Sequence, residues 1–323
     1  MKILVLYYSQ TGQTEKALRA FMAPFTEEGG YEVTFARIVP KRPFPFPWPF
    51  FEFFGIMPEA VLGVPIELEA LPVSPEAKFD LIVLGYQPWF LSPSLPVSSV
   101  LQSPSKALFR DTPVITIITC RNMWIEADRV VTGTLEQLGA RLVGRIVITD
   151  PGPSYATFVT TPMWMLTGKR KFRNPLLDRY FPEAGIPEKD LEGAIRFGRA
   201  LAGKIDRIET ITAEECFEEE TARIIDRLRR AERAGKRVFR VWARLIRAVS
   251  RPGTLLRSVM VFLFVIYLCL AILIGMPIVS LINRFLPRSP RSPHRRGVAP
   301  AAGAGEASPS DPAAVSSSKS VTP

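Results

Sequence analysis

Histidine is almost absent from this sequence of 323 residues, which contains only His294. That residue lies in a tail rich in proline, serine and arginine, so we expect no histidine-based catalysis and no Ser-His-Asp triad. The three cysteines, Cys120, Cys216 and Cys269, have no paired spacing. The sequence therefore predicts neither a disulfide framework nor a metal site.

Two nucleotide-binding motifs are missing as well. The pattern G-x-x-x-x-G-K-[ST] does not occur, which excludes an ATPase P-loop, and the absence of G-x-G-x-x-G argues against a separate NAD(P) domain. The first residues form an apolar, strand-like run from Lys2 rather than a signal peptide. We therefore expect the folded part of the chain to lie in the cytoplasm.

Acidic residues are fewer than basic ones, 31 against 41, which gives a net charge of +10. The excess is concentrated in Lys169–Arg173, Arg223–Arg257 and Arg284–Arg296. The first two stretches contain only three aromatic residues, Phe172, Phe239 and Trp242, and they lead towards a hydrophobic segment. The expected anionic partner is a membrane surface, and no nucleic-acid binding is predicted.

Five apolar runs separated by helical patterns predict an α/β fold with a doubly wound, parallel sheet of five strands. The later runs are nearly continuous in Val, Ile and Leu, as expected for strands buried on both faces. The predicted strands are Lys2–Tyr8, Tyr31–Ile38, Phe79–Gly85, Pro113–Thr119 and Arg141–Thr149. The predicted helices are Glu15–Phe25, Ser98–Phe109, Ile125–Gly139 and Pro187–Lys204.

Residues 1–205 form the predicted α/β domain, with insertions at 40–58 and 151–187. The first insertion alternates proline with aromatic residues and cannot join a central sheet. Its segment Phe44–Phe54 has three open roles: a flap packed on the domain, a wall of an apolar substrate pocket, or an interfacial membrane contact. In the second insertion, Tyr155–Leu166 is too short to span a bilayer, and we expect it to pack on the domain.

Residues 206–257 are predicted to form a basic amphipathic helical region that lies on a membrane surface. Its amino-terminal part is acidic, from Glu214 to Glu220, and its carboxyl-terminal part is basic, an order that suits the helix dipole. The apolar residues that recur at helical spacing opposite the arginines are Val238, Val241, Trp242, Leu245, Ile246 and Val249.

The segment Ser258–Ile282 is uncharged and longer than the roughly 20 residues that cross a bilayer core, which predicts a single transmembrane anchor. A buried core helix and a helical hairpin broken at Gly275 and Pro277 are the alternatives. Residues 283–323 are rich in Pro, Ser, Ala and Gly and are predicted to be disordered.

The most informative stretch is the start of the chain, where a strand, a polar turn and a helix follow one another. Amides in the first turn of a helix have no internal partners, so a turn of this kind can bind an anion. Ser9, Thr11 and Thr14 add hydroxyl groups, and Gly12 allows a ligand to approach the backbone closely. The alternative is a capped turn that binds no ligand.

The spacing Val5-Leu6-Tyr7-x-Ser9-x-x-Gly12-x-Thr14 resembles the phosphate loop of flavodoxins and NAD(P)H-dependent FMN reductases. The pattern departs from the family at Leu18, where the family has a small residue. The resemblance implies a flavodoxin-like fold for residues 1–205, FMN as cofactor and NAD(P)H as a transient reductant. It implies phosphate contacts from Ser9, Gln10, Thr11, Gly12, Gln13 and Thr14.

Two later loops follow the third and fourth predicted strands. Gly85–Ser94 resembles the Gly-x-Pro-x-Trp/Tyr loop of the same family, and Thr119–Trp124 follows the next strand. The resemblance implies that these loops flank the isoalloxazine ring, with an aromatic face from Trp89. The implied contacts are Gln87, Pro88, Trp89, Phe90, Thr119, Cys120, Arg121 and Asn122. The alternatives are that Trp89 and Trp124 are core-edge aromatics, Arg121 a solvated charge and Cys120 a small buried residue.

At a finer level, Tyr7–Gln13 together with Pro43–Phe51 resembles a bacterial group, the flavodoxin-like dialkylresorcinol condensing enzymes. In that pathway a ketosynthase builds an alkylated cyclohexanedione, and the flavodoxin-like partner takes part in its oxidation to the resorcinol. The resemblance thus implies a hydrophobic small-molecule substrate and a ketosynthase partner.

These observations lead to one main expectation and two alternatives. We expect an FMN-dependent oxidoreductase anchored in the inner (cytoplasmic) membrane, with the flavin domain facing the cytoplasm. No side chain is predicted as a catalytic acid or base. The alternatives are a membrane-tethered electron carrier of the flavodoxin type, without its own substrate, and a flavin-free scaffold that holds a ketosynthase at the membrane.

Overall fold

The computed structural model describes residues 1–27, 29–208, 210 and 226–275. Its centre is a sheet of five parallel strands in the order β2-β1-β3-β4-β5. This is the flavodoxin-like strand order, so the predicted fold class is confirmed. The strands are β1 (Lys2–Tyr7), β2 (Glu32–Arg37), β3 (Leu81–Tyr86), β4 (Pro113–Cys120) and β5 (Arg141–Thr149).

Eleven α-helices are assigned within these described residues. Those in the first half of the chain are α1 (Gln13–Glu27), α2 (Phe50–Gly55), α3 (Met57–Leu62), α4 (Leu95–Val100) and α5 (Ile125–Gln137). The others are α6 (Ser154–Thr167), α7 (Pro175–Tyr180), α8 (Glu188–Glu192), α9 (Ile195–Ala202), α10 (Asp226–Val249) and α11 (Leu255–Leu270).

The sheet separates two apolar cores because successive strand residues point to opposite faces. In β1, Ile3 and Val5 join the core under α1, α8 and α9, whereas Leu4 and Leu6 join the core under α4 and α5. Residues Ile3 to Leu6 are fully buried, as the apolar run predicts for a central strand.

Two predicted helices differ from the observed ones because of single residues. The predicted helix Ser98–Phe109 is instead α4 followed by a 3₁₀ turn at Pro104–Phe109, since proline cannot continue the hydrogen-bond ladder. The predicted helix Pro187–Lys204 is divided into α8 and α9 near Gly193.

The insertion at 40–58 forms two short helices, α2 and α3, after a proline-rich lead that contains a cis Phe46–Pro47 bond. Trp48, Phe54 and Met57 are buried. A third apolar cluster joins Phe54 and Met57 to residues of α10 and α11. The insertion therefore connects the α/β domain to the helices that follow it.

Only part of the apolar face that was predicted for α10 is buried in the protein. Ala243 and Ile246 are fully buried against α3, whereas Val241, Leu245 and Val249 remain 65%, 45% and 44% exposed. Helix α10 ends before a short link at Ser250–Thr254, which lies within the predicted helical region 206–257. Its acidic start at 214–220 lies outside the described residues.

An apolar helix follows the link. The stretch Leu255–Ile274, 20 residues with a mean hydropathy of 2.6, is long and apolar enough to cross a membrane by length and composition. It begins before the predicted Ser258 because the Thr254 hydroxyl caps its amino terminus. Two compact units divide the chain after Ala271, and only Ile272–Gly275 of the second is described. The remainder of the predicted segment, 276–282, and the predicted disordered tail lie outside the described residues.

The contact between α1 and α9 depends on a glycine. A Cβ atom on Gly198 would lie 2.0 Å from the carbonyl oxygen of Phe21, which is helix backbone and cannot move aside. We expect Gly198→Ala to lower the free energy of unfolding by about 1–3 kcal/mol, the usual cost of overpacking. Chemical denaturation of the purified chain measures this change.

Gly203→Ala is the matched control, because its Cβ would meet no atom closer than 3.8 Å. Equal stability of the two variants would contradict the close approach of α9 to α1.

Candidate functional site at the carboxyl edge of the sheet

The turn after β1 presents free backbone amides. It runs from Tyr8 to Gly12, and α1 begins at Gln13. Gly12 has a φ of 82°, and a Cβ atom there would have no neighbour within 4 Å, so the space in front of it is open. The buried Ser9 hydroxyl accepts a 3.4 Å hydrogen bond from the amide of Glu15.

Within the described part of the chain, the amides of Thr11, Gly12, Gln13 and Thr14 have no protein acceptor. They stand at the start of a 15-residue helix, where the helix dipole adds partial positive charge. Four consecutive free donors at such a terminus fit an anionic group such as a phosphate.

Side chains join this turn to the two other predicted loops. The hydroxyls of Thr14 and Thr119 lie 2.7 Å apart. The amide nitrogen of Gln87 donates to the carbonyl of Tyr8 and to the Thr14 hydroxyl, at 2.9 and 3.1 Å, and its oxygen accepts from the amide of Gln10 at 3.1 Å. The ends of β1, β3 and β4 therefore form one hydrogen-bonded group.

The two glutamines of the turn hold the insertions. Gln10 Nε2 donates to the carbonyl of Pro45 at 2.9 Å. Gln13 Nε2 donates to the carbonyl of Ile186 at 2.7 Å, and Gln13 Oε1 accepts from the amide of the same residue at 3.3 Å. Both residues were expected to contact phosphate, but these bonds commit their side chains to the protein. Of these two residues, only Gln13 has a backbone amide that stays free for a ligand, because the amide of Gln10 donates to Gln87.

Trp89 lies in an aromatic cluster rather than alone on the loop. Its ring meets those of Tyr8, Phe44 and Trp48 edge-to-face, with centroids 5.8, 5.1 and 5.6 Å away. Phe44 and Trp48 stack on each other at 5.2 Å. The aromatic insertion therefore covers the β3 loop, and Trp89 links that insertion to the turn after β1.

Phe90 is separated from this group. Phe90 and Leu91 have φ values of 48° and 59°, so the chain reverses within a two-strand ribbon in which Pro88–Trp89 pairs with Ser92–Pro93. The Phe90 ring packs on those of Phe53, Phe54 and Phe239. Phe90, which was predicted as a contact of the ring, thus faces the C-terminal helices.

The third loop lies under helix α6 of the second insertion. The Arg121 guanidinium stands over the Phe158 ring at 3.7 Å, and burial lowers its pKa to about 10. Asn122 Nδ2 donates to Ser154 Oγ at 2.9 Å. Arg121 Nη1 and Asn122 Oδ1 are buried without a partner among the described residues. These two atoms could pair with polar groups of a ligand.

Cys120 and Trp124 belong to the same loop. Burial raises the pKa of the Cys120 thiol well above its ordinary value, which favours the protonated thiol. Trp124 is 5% exposed and belongs to the core under α5. Helix α6 buries Ala156 and Trp164 and exposes Tyr155, as expected for a helix packed on the domain by one face.

Two charged residues of α10, absent from the sequence prediction, contact the loop after β3 and the first turn of α5. The fully buried Glu232 carboxylate accepts a 2.8 Å hydrogen bond from the amide of Glu126 in the first turn of α5. Lys236 Nζ donates to the carbonyl of Leu91 at 3.0 Å and to Ser92 Oγ. The signal in the sequence is that both residues share one helix stripe with Ala243 and Ile246, the buried apolar residues.

Burial sets the protonation of both side chains. It raises the pKa of Glu232 above the ordinary value for glutamate and lowers the pKa of Lys236 to about 7. The two shifts favour the neutral forms, as expected for charges removed from water.

Several solved structures are similar to part of this chain. A flavoprotein in complex with FMN from Lactobacillus acidophilus NCFM is 19% identical over 45% of this chain and 92% of its own, with a TM-score of 0.36. A flavodoxin from the domain Archaea is 13% identical over 64% and 99%, with a TM-score of 0.35. A flavone reductase is 12% identical over 66% of each chain, with a TM-score of 0.36.

No protein-family model and no curated protein sequence matches the chain. The strand order and connectivity of the sheet define the fold. The free amides, the aromatic cluster and the third loop define the candidate site.

The ammonium of Lys236 makes stability depend on pH. Its pKa of about 7 in the folded protein lies below the ordinary 10.5, so the unfolded chain binds more protons between these values. Stability therefore rises with pH across this window, by at most about 1.4 kcal/mol per pH unit from this one group, and falls as pH drops towards 7. We expect Lys236→Met to remove this pH-dependent contribution to the free energy of unfolding.

Denaturant unfolding of wild type and variant from pH 6.5 to 9.5 measures the difference. The control is Lys78→Met, because Lys78 is exposed. We expect its free energy of unfolding to differ from that of wild type by the same amount at every pH. A constant difference for Lys236→Met as well would show that Lys236 is hydrated in the folded protein.

Proposed function

We propose that this protein is an FMN-dependent oxidoreductase. The observation that carries the proposal is the run of four unpaired amides at Thr11–Thr14, at the start of α1 and beside the ends of β3 and β4. This donor set fits the terminal phosphate of FMN. The resemblance of the turn to the flavodoxin phosphate loop supports the same cofactor.

The two later loops supply the remaining contacts in this proposal. The indole of Trp89 and the unpaired polar atoms of Arg121 and Asn122 belong to neighbouring loops at the same edge of the sheet. Bound FMN supplies reversible two-electron chemistry that side chains lack. The residues of this chain hold the phosphate, shield the ring with aromatic groups and offer hydrogen bonds to its polar edge.

The substrate in this proposal is a hydrophobic small molecule. The narrower resemblance to dialkylresorcinol condensing enzymes suggests an alkylated cyclohexanedione, made by a ketosynthase partner. Its oxidation to a resorcinol removes two electrons and two protons, a change that oxidised FMN supports. The aromatic insertion over the β3 loop and the apolar helix α11 suit a substrate with alkyl chains.

One observation favours a second candidate, a flavin-free scaffold. The Thr14 hydroxyl, a phosphate contact in the sequence prediction, is bonded to Thr119 and Gln87. In a scaffold these bonds would replace the ligand. We favour the enzyme because the four amides remain without a protein acceptor. A carrier without its own substrate is less consistent with the net charge of +10 and the aromatic insertion.

Membrane anchoring completes the proposal. The helix Leu255–Ile274 would cross the inner membrane once, with the flavin domain in the cytoplasm, where FMN is made. Its high hydropathy supports this role, and 17% of its most apolar window is buried inside the protein. The exposed remainder, which includes Phe262 and Leu263, then faces lipid.

Removal of one hydroxyl group tests the proposed phosphate site. We expect Thr11→Ala to weaken FMN binding about tenfold or more, the value of one hydrogen bond to a charged group. Quenching of FMN fluorescence by the full-length chain measures affinity. Riboflavin, which lacks the phosphate, should bind wild type more weakly than FMN does, and Thr11→Ala should reduce that preference.

Thr26→Ala, at the other end of α1, is the matched control. Wild-type protein that fails to bind added FMN would overturn the enzyme proposal and favour the scaffold. A preference for FMN unchanged in Thr11→Ala would place the phosphate elsewhere.

Anchoring can be tested with charges on the exposed face of α11. We expect Leu263→Arg combined with Ile266→Arg to release the chain from membranes, since each arginine near the centre of a spanning helix costs about 2.5–3.5 kcal/mol. Both positions are over 40% exposed, so the fold tolerates the change. The measurement is the fraction that stays in the membrane pellet after an alkaline carbonate wash.

The control is Leu176→Arg with Leu177→Arg on the exposed helix α7. Retention of the α11 variant, or a wild-type chain that carbonate extracts, would contradict a spanning helix.

A further inference from the structure

A cavity of about 790 Å³ lies between the aromatic insertion and the start of α11. This volume falls within the range of about 300–1,000 Å³ that is usual for small-molecule sites. Its apolar wall comes from both elements and from the strand-like segment after α3. The residues are Phe44, Trp48, Phe51, Ile56, Ile66 and Val261.

Two residues that line the cavity, Trp48 and Arg257, each carry a buried N–H group without an acceptor among the described residues. Trp48 is 4% exposed, and its indole Nε1 is unpaired among the described residues. The side chain of Arg257 is 7% exposed. Its Nη2 donates to the carbonyl of Gly55 at 2.9 Å and to Glu59 Oε2 at 2.5 Å, whereas Nη1 is unpaired in the same part of the structure. Buried donors normally have partners, so an occupant whose oxygen reaches either nitrogen would complete a hydrogen bond that is otherwise unmade.

The charges around the cavity are balanced. Arg257 pairs with Glu59, and Lys41 lies 3.4 Å from Glu67. Three basic and three acidic residues line the whole cavity, which argues against a strongly anionic group such as a phosphate. They are Lys41, Arg42, Arg257, Glu52, Glu59 and Glu67.

The position of the cavity indicates the remainder of the occupant. Arg257, Ser258 and Val261 belong to the first two turns of α11, where a spanning helix enters the membrane interface. An apolar wall beside two buried donors at this level suits a molecule with a hydrocarbon chain and a polar end.

We propose that this cavity binds an uncharged amphiphile, with its chain against Phe44, Phe51 and Val261 and its oxygen head accepting from Trp48 and Arg257. Trp48 also meets Trp89 edge-to-face, so the occupant lies one aromatic residue away from the β3 loop. That the occupant is the substrate of the oxidoreductase rests on the proposed function, whereas the binding site itself does not.

Calorimetry of the full-length chain in phosphatidylcholine nanodiscs tests this site with 4-octylphenol, after subtraction of partitioning into empty nanodiscs. We expect saturable binding at one site. Octylbenzene, which lacks the oxygen, should bind about three- to tenfold more weakly, as expected for the loss of hydrogen bonds of ordinary strength. Trp48→Phe should narrow that difference, and Trp242→Phe, outside the cavity wall, should leave it unchanged.

A matched pair on α11 tests the location. Ser258 lines the cavity, whereas its neighbour Val259 is 46% exposed. Ser258→Trp should abolish 4-octylphenol binding, and Val259→Trp should preserve it. Purely partition-like uptake of 4-octylphenol by wild type, or equal binding of 4-octylphenol by the two variants, would overturn the proposal.

Two further measurements identify the source of the occupant and separate this inference from the proposed function. Phospholipid that co-purifies with wild type, is absent from Ser258→Trp and is not displaced by 4-octylphenol would overturn the proposal, because a phospholipid carries a charged phosphate. Displacement of such lipid by 4-octylphenol, or saturable binding without any, identifies a smaller amphiphile. FMN binding is measured on the same samples: a flavin-binding chain with an empty cavity overturns only this inference, and a filled cavity without flavin overturns only the enzyme.

Discussion

The burial of two charges in α10 determines how the rest of the site is held. Glu232 and Lys236 are almost completely removed from water, which is costly unless each charge meets a polar partner. Their partners include two backbone groups, the amide of Glu126 in the first turn of α5 and the carbonyl of Leu91 in the loop after β3. The helix and the loops therefore depend on each other, although Lys236 follows Leu91 by 145 residues. The loop conformation with positive φ at Phe90 and Leu91 is supported by this contact.

Side chains and backbone have separate tasks in the turn after β1. Gln10 and Gln13 reach outwards and fix the two insertions, while Thr14 joins the ends of β3 and β4 through Gln87 and Thr119. The amides of residues 11–14 are left for a ligand. Such a turn does not require a lysine to attract an anion, because the start of a helix already carries partial positive charge.

The strand order and the first turn could be predicted from local sequence, since continuous apolar runs and a strand–turn–helix pattern are properties of neighbouring residues. The roles of Glu232 and Lys236 could not, because charges in a basic amphipathic helix usually face solvent and their partners are backbone atoms far along the chain. The side chains of Gln10 and Gln13 are a similar case: the motif locates the residues, but the insertions they hold are particular to this chain. Pro104 ended a predicted helix early, which the proline itself indicates.

The link between α10 and α11 is only Ser250–Thr254, and the two helices pack together through Trp242, Phe239 and Phe264. A long flexible linker would let a domain take many positions and orientations above the bilayer. The short link between α10 and α11 allows few of them. On the proposed anchoring, the carboxyl edge of the sheet keeps a fixed height and tilt above the lipid. Its encounters are then governed by lateral diffusion in two dimensions, and the surface density of a reactant matters more than its concentration in solution.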